Sequence, residues 1–389
     1  LYNTQPTLLR EMIDSVCAQT YERWELCLAD GSEQSHSEVE AIVKEYQEKD
    51  SRIQYLRLEQ NEGISANTNA CASLATGEYL ALLDHDDVLT PDALFEMVRA
   101  INRTNADVLY SDEDKLSAQG KFYNPFYKPD WSPDLLYSQM YVGHLLVFRK
   151  CLFEQIGGFD SSFNGSQDYD LMLRLSEKTN QIVHVPKVLY SWREVETSTA
   201  ANPDAKPYAH TAGKNALDAH LKRKYGSFAH AEDSPYTFVF DPRFDLLKDT
   251  RPLVSIIIPM KDKAQLSDAC VRSILDKTDY ENYEILILDN RSEQPETQKW
   301  FDTIQQVDSR IRIINADFDF NWSKLNNFGM DNAKGEVYIF LNNDTVVISP
   351  DWLTRLSETA LREDVGAVGP LLLYEDNTIQ HAGIVVGLN

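Results

Sequence analysis

Glu78 to Asp87 reads E-Y-L-A-L-L-D-H-D-D, an apolar run that stops abruptly at Asp84, His85, Asp86 and Asp87. Tyr79 to Leu83 is apolar and long enough for a strand covered on both faces. That puts the acidic cluster at the strand's carboxyl end, where open α/β sheets keep their ligand crevice. Thr90, Pro91 and Asp92 follow as a helix start: a hydroxyl N-cap, a proline at the first helical position and an acid toward the positive helix end. Carboxylates packed this closely repel one another, and a divalent cation with hard oxygen ligands relieves the repulsion. A solvated acidic turn is the plain alternative, and the cluster alone does not separate the two.

Composition narrows the field. A chain of 389 residues with 43% hydrophobic content is too long for one ordinary domain, so two are expected. The net charge of -24 argues against nucleic acid or an anionic membrane surface as a general partner, because both need a basic face. Cys17, Cys27, Cys71, Cys151 and Cys270 are scattered and form no C-x-x-C pair, which predicts buried free thiols in a reducing compartment. No apolar run approaches the length of a membrane span and no signal-peptide pattern is present, so a cytoplasmic protein is expected. The chain opens at Leu1 without methionine and stops inside the apolar run at Gly387, Leu388 and Asn389, as a fragment cut at both ends would.

Residues 1 to 110 alternate short apolar runs with helical patterns. Leu8, Leu9, Met12, Ile13, Val16 and Cys17 recur at helical spacing, and Trp24 to Ala29 and Ile53 to Leu58 read as strands, the first ending at Asp30. The pattern is a βαβ series with a mainly parallel sheet, an α/β fold. Tyr2 and Asn3 look like the residues that follow a first strand.

A second copy lies downstream. Ser15, Thr20, Ser65, Asn69, Gly77 and Asp86 align with Ser273, Thr278, Ser323, Asn327, Gly335 and Asp344 at an offset of about 258. The second copy has a strand at Leu253 to Pro259 that the first lacks. The expected division is residues 1–200, a connection over 201–250, and 251–389. Asn202 to Pro207 suits a surface connection. Lys222, Arg223 and Lys224 suit a helix C-terminus, with contact to a membrane surface as the alternative reading.

The residues now assembled resemble the family 2 glycosyltransferases, in particular tandem bacterial enzymes of O-antigen and rhamnose-containing polysaccharide assembly. The matching pieces are Tyr2 and Asn3; Asp30, Gly31 and Ser32; Asn61 to Asn69; Gly77 to Asp87; Lys128 to Leu136; and Gly165 to Leu171. The resemblance implies two GT-A domains in tandem, the first without its first strand and the second without its acceptor half. It implies inverting, metal-dependent transfer from a nucleoside diphosphate sugar to a glycan or polyprenyl-linked glycan, at the inner face of the plasma membrane if a peripheral membrane contact is made.

Carried over residue by residue, Asp30 resembles the acid that binds the nucleotide base, and Asn61, Gly63 and Asn69 the donor-side segment. Thr68 stands where the family often has arginine. Asp84, His85 and Asp86 resemble the D-x-D motif, so Mg2+ or Mn2+ is implied at Asp86, with Asp84 facing the ribose or a metal-bound water. Asp168 is the expected base, with Asp170 the competing choice. Trp131, His144, Gln167, Trp192 and Arg193 fall at acceptor-side positions, and Glu113 and Asp114 at the site without an assigned role. In the second copy Pro259, Lys261, Asp289, Ser323, Asn327 and Asp344 are the donor-side counterparts, Asp344 as the metal position. Two carboxylates also suit a glycosidase, but that chemistry leaves Asp30 and Asp86 without a purpose. A Rossmann dehydrogenase lacks its G-x-G-x-x-G. A sugar-binding or scaffold module without turnover stays open, above all for the second copy.

Overall fold

The computed structural model describes residues 1–194, 207–246 and 251–383. The expected connection at Asn202 and the stretch at Gly387 lie outside the described residues. The chain divides into two compact units, one formed by Leu1–Arg243 and the other beginning at Phe244.

In the first unit α1 (Pro6–Cys17) buries Leu9, Met12, Ile13 and Val16 along one face, the 3.6-residue stripe read from the sequence. β1 (Leu26–Asp30) and β2 (Ile53–Arg57) pair in parallel around α2 (Ser37–Gln47), with Asp30 opposite Arg57. α3 (Ile64–Leu74) then leads to β3 (Tyr79–Ala81), β4 (Val88–Leu89) and α4 (Ala93–Thr104), which carry the acidic cluster between them. The rest of this unit is β5 (Val108–Leu116), β6 (Phe122–Phe126), α5 (Pro133–Ser138), β7 (Leu146–Arg149), α6 (Lys150–Gln155), α7 (Gln167–Ser176), β8 (Ile182–Arg193), α8 (Pro207–Tyr225) and the pair β9 (Ala229–Asp233) and β10 (Phe240–Phe244).

Its larger sheet has the order β3-β7-β5-β8-β4, with β6 added to β5. The β5–β8 pair is parallel and the other pairings are antiparallel, so the expectation of a mainly parallel sheet does not hold here. β3 is also shorter and more open than a strand covered on both faces. Among the described residues it pairs with β7 alone. The basic end of α8 is occupied within the unit, with Lys222 on Asp218, Arg223 on Glu177 and Lys224 on the Tyr137 hydroxyl. No described helix is long and apolar enough to cross a membrane.

The second unit is the parallel α/β sheet the sequence led us to expect. It runs β11 (Val254–Met260), α9 (Ala264–Lys277), β12 (Tyr283–Asp289), α10 (Pro295–Val307), β13 (Ile311–Asn315), α11 (Trp322–Asn332), β14 (Val337–Phe340), α12 (Trp352–Ala360) and the short antiparallel pair β15 (Leu372–Leu373) and β16 (Ile379–His381). The sheet order is β13-β12-β11-β14, all parallel. Every residue of β11 is buried, as suits a central strand covered on both faces.

Each unit has its own core. α1, β1, α2, β2, α3 and β3 repeat the order α9, β12, α10, β13, α11 and β14. Where the second unit has β11, the first has Leu1, whose carbonyl accepts from Gly31 N at 3.1 Å as Met260 O accepts from Asn290 N at 2.9 Å. Asn3 and Asp262 both have positive φ, and each backbone N–H donates to a serine, Ser32 or Ser292, at 2.8 Å.

Candidate active site

The acidic turn, the start of α3 and the start of α7 open into one cleft of about 1770 Å3 in the first unit. Its apolar part is the slot between β1 and β3, lined by Leu28, Leu80 and Leu82, at the place that β11 fills between β12 and β14 in the second unit. Its polar part brings together Tyr2, Asn61, Gly63, Asp84 and Asp86 from one side. From the far side come His144, Gln167, Asp168 and Trp192. Residues separated by more than one hundred positions in sequence therefore face one space.

The acidic turn is held from beneath by β8. Asp87 is buried and accepts from the Tyr190 hydroxyl at 2.5 Å and from Arg193 N at 2.7 Å. Burial first, and the neighbouring Asp84 second, push its carboxyl up to about 7. The Tyr190 oxygen also accepts from Asp84 N at 3.2 Å, and Arg193 Nε donates to the Asp86 carbonyl at 2.7 Å. With Asp87 turned inward, the carboxylates of Asp84 and Asp86 are left to the cleft; Asp84 is 54% exposed, and the Asp86 carboxylate has no hydrogen bond among the described residues. Two such oxygen donors suit Mg2+ or Mn2+. No group of three His, Cys, Asp or Glu side chains is arranged to hold a metal among the described residues, so a cation here needs further oxygens from a ligand.

Across the cleft, Asp168 lies in the first turn of α7 and is half-buried. Burial raises its pKa, with His144 opposing the shift. Asp170 is fully buried, and the Arg174 guanidinium engages its Oδ2 from Nε at 2.9 Å and from Nη2. It cannot reach a ligand. His144 stacks on Tyr190 with centroids 4.6 Å apart, meets Trp192 edge to face at 6.1 Å and stands 4.0 Å from Asp84. Burial lowers its pKa, but Asp84, Glu113, Asp87 and Asp168 outweigh that and the net shift is upward.

Lys128 holds the loop that presents His144. Its side chain is completely buried, and Nζ donates to Glu113 Oε2 at 2.9 Å, to Val142 O at 2.6 Å and to His144 O. Glu113 also accepts from His144 N at 2.7 Å. Sequence reasoning gave no role to Glu113, to Lys128, which entered only as the first residue of a matching piece, or to Tyr190. A lysine between aromatic and proline residues gives no sign that it will be buried.

Several expected site residues are placed elsewhere. Asp30 is fully buried and accepts from Ser32 N at 2.8 Å, Tyr55 Oη at 2.8 Å and Arg57 Nη1 at 2.6 Å. Burial raises its pKa, but these donors outweigh it and hold the carboxyl below the ordinary range. Such a carboxylate has no free face for a nucleotide base. The cause is Arg57, set directly opposite by the β1–β2 register. Asn69 points away from the cleft, its amide closed on the backbone of Phe159. Arg193 is buried, with its guanidinium on Glu11 and the Asp86 carbonyl, so it supports the acidic turn and does not face an acceptor. Trp131 packs on Tyr141 at 6.5 Å, outside the cleft lining. Asn3 Oδ1 is taken by Glu33 N at 2.9 Å.

In the second unit Pro259 is buried inside β11 and offers no side chain to a ligand. Lys261 reaches Glu293 at 3.1 Å on the surface. Asp289 is half-buried and accepts from Ser292 N at 2.9 Å; Asn315 stands opposite it where Asp30 meets Arg57. Ser323, Asn327 and Asp344 are exposed.

The model of "Glycosyl transferase family 2" matches residues 1–157 and 255–381. The uncharacterized protein y4gI of Sinorhizobium fredii is 43% identical over 391 residues, covering 100% of this chain and 43% of that protein. O-antigen biosynthesis protein RfbC of Myxococcus xanthus is 39% identical over 390 residues, covering 100% of this chain and 30% of that protein. The chain thus spans less than half the length of these two relatives. Among solved structures, residues 1–349 of S. aureus TarS in complex with UDP-GlcNAc align with a TM-score of 0.46 at 17% identity, over 57% of this chain and 64% of that one. On the family model, which matches more than half of it, the chain belongs to glycosyl transferase family 2.

Proposed function

We propose that the first unit transfers a sugar from a nucleoside diphosphate sugar to a hydroxyl group of a glycan or polyprenyl-linked glycan, with inversion at the anomeric carbon. One observation carries the reading: Asp168 faces the same cleft as Asp84 and Asp86, whereas Asp170, two residues on, is buried against Arg174. Asp84 and Asp86 would hold Mg2+ or Mn2+ together with the donor diphosphate, and the cation would offset the negative charge brought into an acidic crevice. Tyr190, Asp87 and Arg193 fix the backbone of that turn before any ligand arrives.

In the chemical step the acceptor oxygen bonds to the anomeric carbon as the bond from that carbon to the diphosphate oxygen breaks. The electron pair leaves with the nucleoside diphosphate and the hydroxyl proton passes to the Asp168 carboxylate. A raised pKa makes Asp168 a better proton acceptor than an ordinary carboxylate. His144, between Asp84 and Asp168 with carboxylates on both sides, suits contact with an anionic donor group. The likeness to RfbC supports cell-surface polysaccharide as the setting, and the five free cysteines suit a reducing, cytoplasmic one.

The second unit we read as a duplicate donor-binding unit. A binding role without turnover is favoured there by its turn, where Asn342 and Asn343 replace Asp84 and His85 and leave Asp344 the one acid of the three. The test of the main proposal is a thermal-shift screen of nucleoside diphosphate sugars with Mn2+ or with EDTA, followed by stereochemical analysis of the product. A stabilising ligand that works only with the metal, and an inverted product, are expected. Equal stabilisation in EDTA removes the metal from the proposal, and retained stereochemistry removes the single displacement.

A further inference from the structure

The donor side and the base side of the cleft come from segments about one hundred residues apart, and two side-chain contacts join them. The Asn69 carboxamide forms a closed pair with Phe159: Nδ2 donates to Phe159 O at 2.9 Å, and Phe159 N donates to Oδ1 at 2.9 Å. Gly158, at φ +74°, makes room for it, since a Cβ there would lie 2.6 Å from Asn69 Oδ1. One turn earlier on α3, the fully buried Ser65 donates from Oγ to Asn164 Oδ1 at 2.5 Å. The same loop is gripped from its other side by α7, where Arg174 Nη1 donates to Ile156 O at 3.0 Å and Gly158 O at 2.8 Å. The first turn of α3 lines the cleft through Gly63, Ile64 and Asn67, and α7 carries Asp168.

We propose that Asn69 and the Ser65–Asn164 pair are positioning residues that lock the donor-side turn of α3 to the loop before α7 and so set Asp168 against the bound donor. The inference rests on the function read for the first unit. Two near-isosteric or minimal changes test it, Asn69→Leu and Asn164→Ala, with Asn164→Asp as the conservative variant that keeps the acceptor for Ser65. The measurements are hydrogen exchange at the Phe159 amide without ligand, UDP affinity in Mn2+, and nucleotide release from a panel of UDP- and dTDP-linked hexoses. Asn69→Leu should speed Phe159 exchange about tenfold or more. It should leave the UDP Kd within about twofold of wild type and lower kcat about tenfold, with Asn164→Asp closer to wild type than Asn164→Ala. Unchanged exchange, wild-type kcat, or UDP affinity that falls in step with turnover would each overturn the tether. The exchange arm needs no nucleotide. A wild-type chain that binds no UDP or dTDP would therefore remove the proposed function, while Phe159 exchange would still decide whether the lock exists.

Discussion

Asp168 and Asp170 sit two positions apart in α7 and have opposite surroundings. Helical geometry turns the first toward the cleft and the second toward Arg174, so the same residue type becomes a candidate base in one place and a structural anion in the other. Asp168→Asn should leave donor affinity nearly intact and lower turnover about 100-fold or more. Because burial raises the Asp168 pKa, wild-type turnover should fall on acidification at a pH above the ordinary carboxylate range, where the carboxylate takes up its proton; the residual rate of Asp168→Asn should lack that limb. Asp170→Asn should instead lower stability by about 1–3 kcal/mol, from a weakened charged hydrogen bond, read as a lower denaturant midpoint. Loss of turnover in Asp170→Asn without loss of stability would reverse the assignment. At this scale the sequence offered both acids in G-S-Q-D-Y-D-L, and only the direction of each side chain chose between them.

Elements show where local pattern and tertiary context part. The seam between α7 and α8 joins Glu177 to His220 Nδ1 at 2.7 Å. Burial lowers the His220 pKa, more than Glu177 raises it. The unfolded chain therefore binds the proton more readily, and this contribution to stability is present above pH of about 6.5 and is lost as pH falls below it. Between pH 7.5 and 5.5 the Tm of wild type should drop more than that of His220→Gln, and equal drops would show that His220 is not the titrating group. Glycine shows how packing fixes a residue type. A Cβ on Gly335 would lie 2.5 Å from Leu253 O and 2.8 Å from Ser255 N, at the start of β11. Gly335→Ala should cost the second unit about 1–3 kcal/mol, by overpacking against backbone, read as a lower denaturant midpoint. An unchanged midpoint would mean that β11 is not what makes Gly335 necessary. The sequence shows a glycine there, and the strand beside it supplies the reason.

Across the whole molecule, the two units repeat one order of helices and strands while their acidic turns differ. Asp86→Asn should weaken nucleotide binding in Mn2+ far more than in EDTA and abolish most turnover, and Asp344→Asn should leave turnover within about twofold of wild type. Turnover that vanishes with Asp344→Asn and survives Asp86→Asn would assign catalysis to the second unit. Sequence alone determined the helices and strands with strong periodicity and the acidic turn at a strand's end, because each depends on residues near one another. Only the tertiary structure decided which acids stay open. Asp30 is closed by Arg57 across a strand pair, Asp87 by Tyr190 and Arg193 more than one hundred residues later, and Asn69 by the backbone of Phe159. These are long-range partners, set by strand register and by which face of a helix meets which loop, and a side chain buried against them is not presented to a ligand.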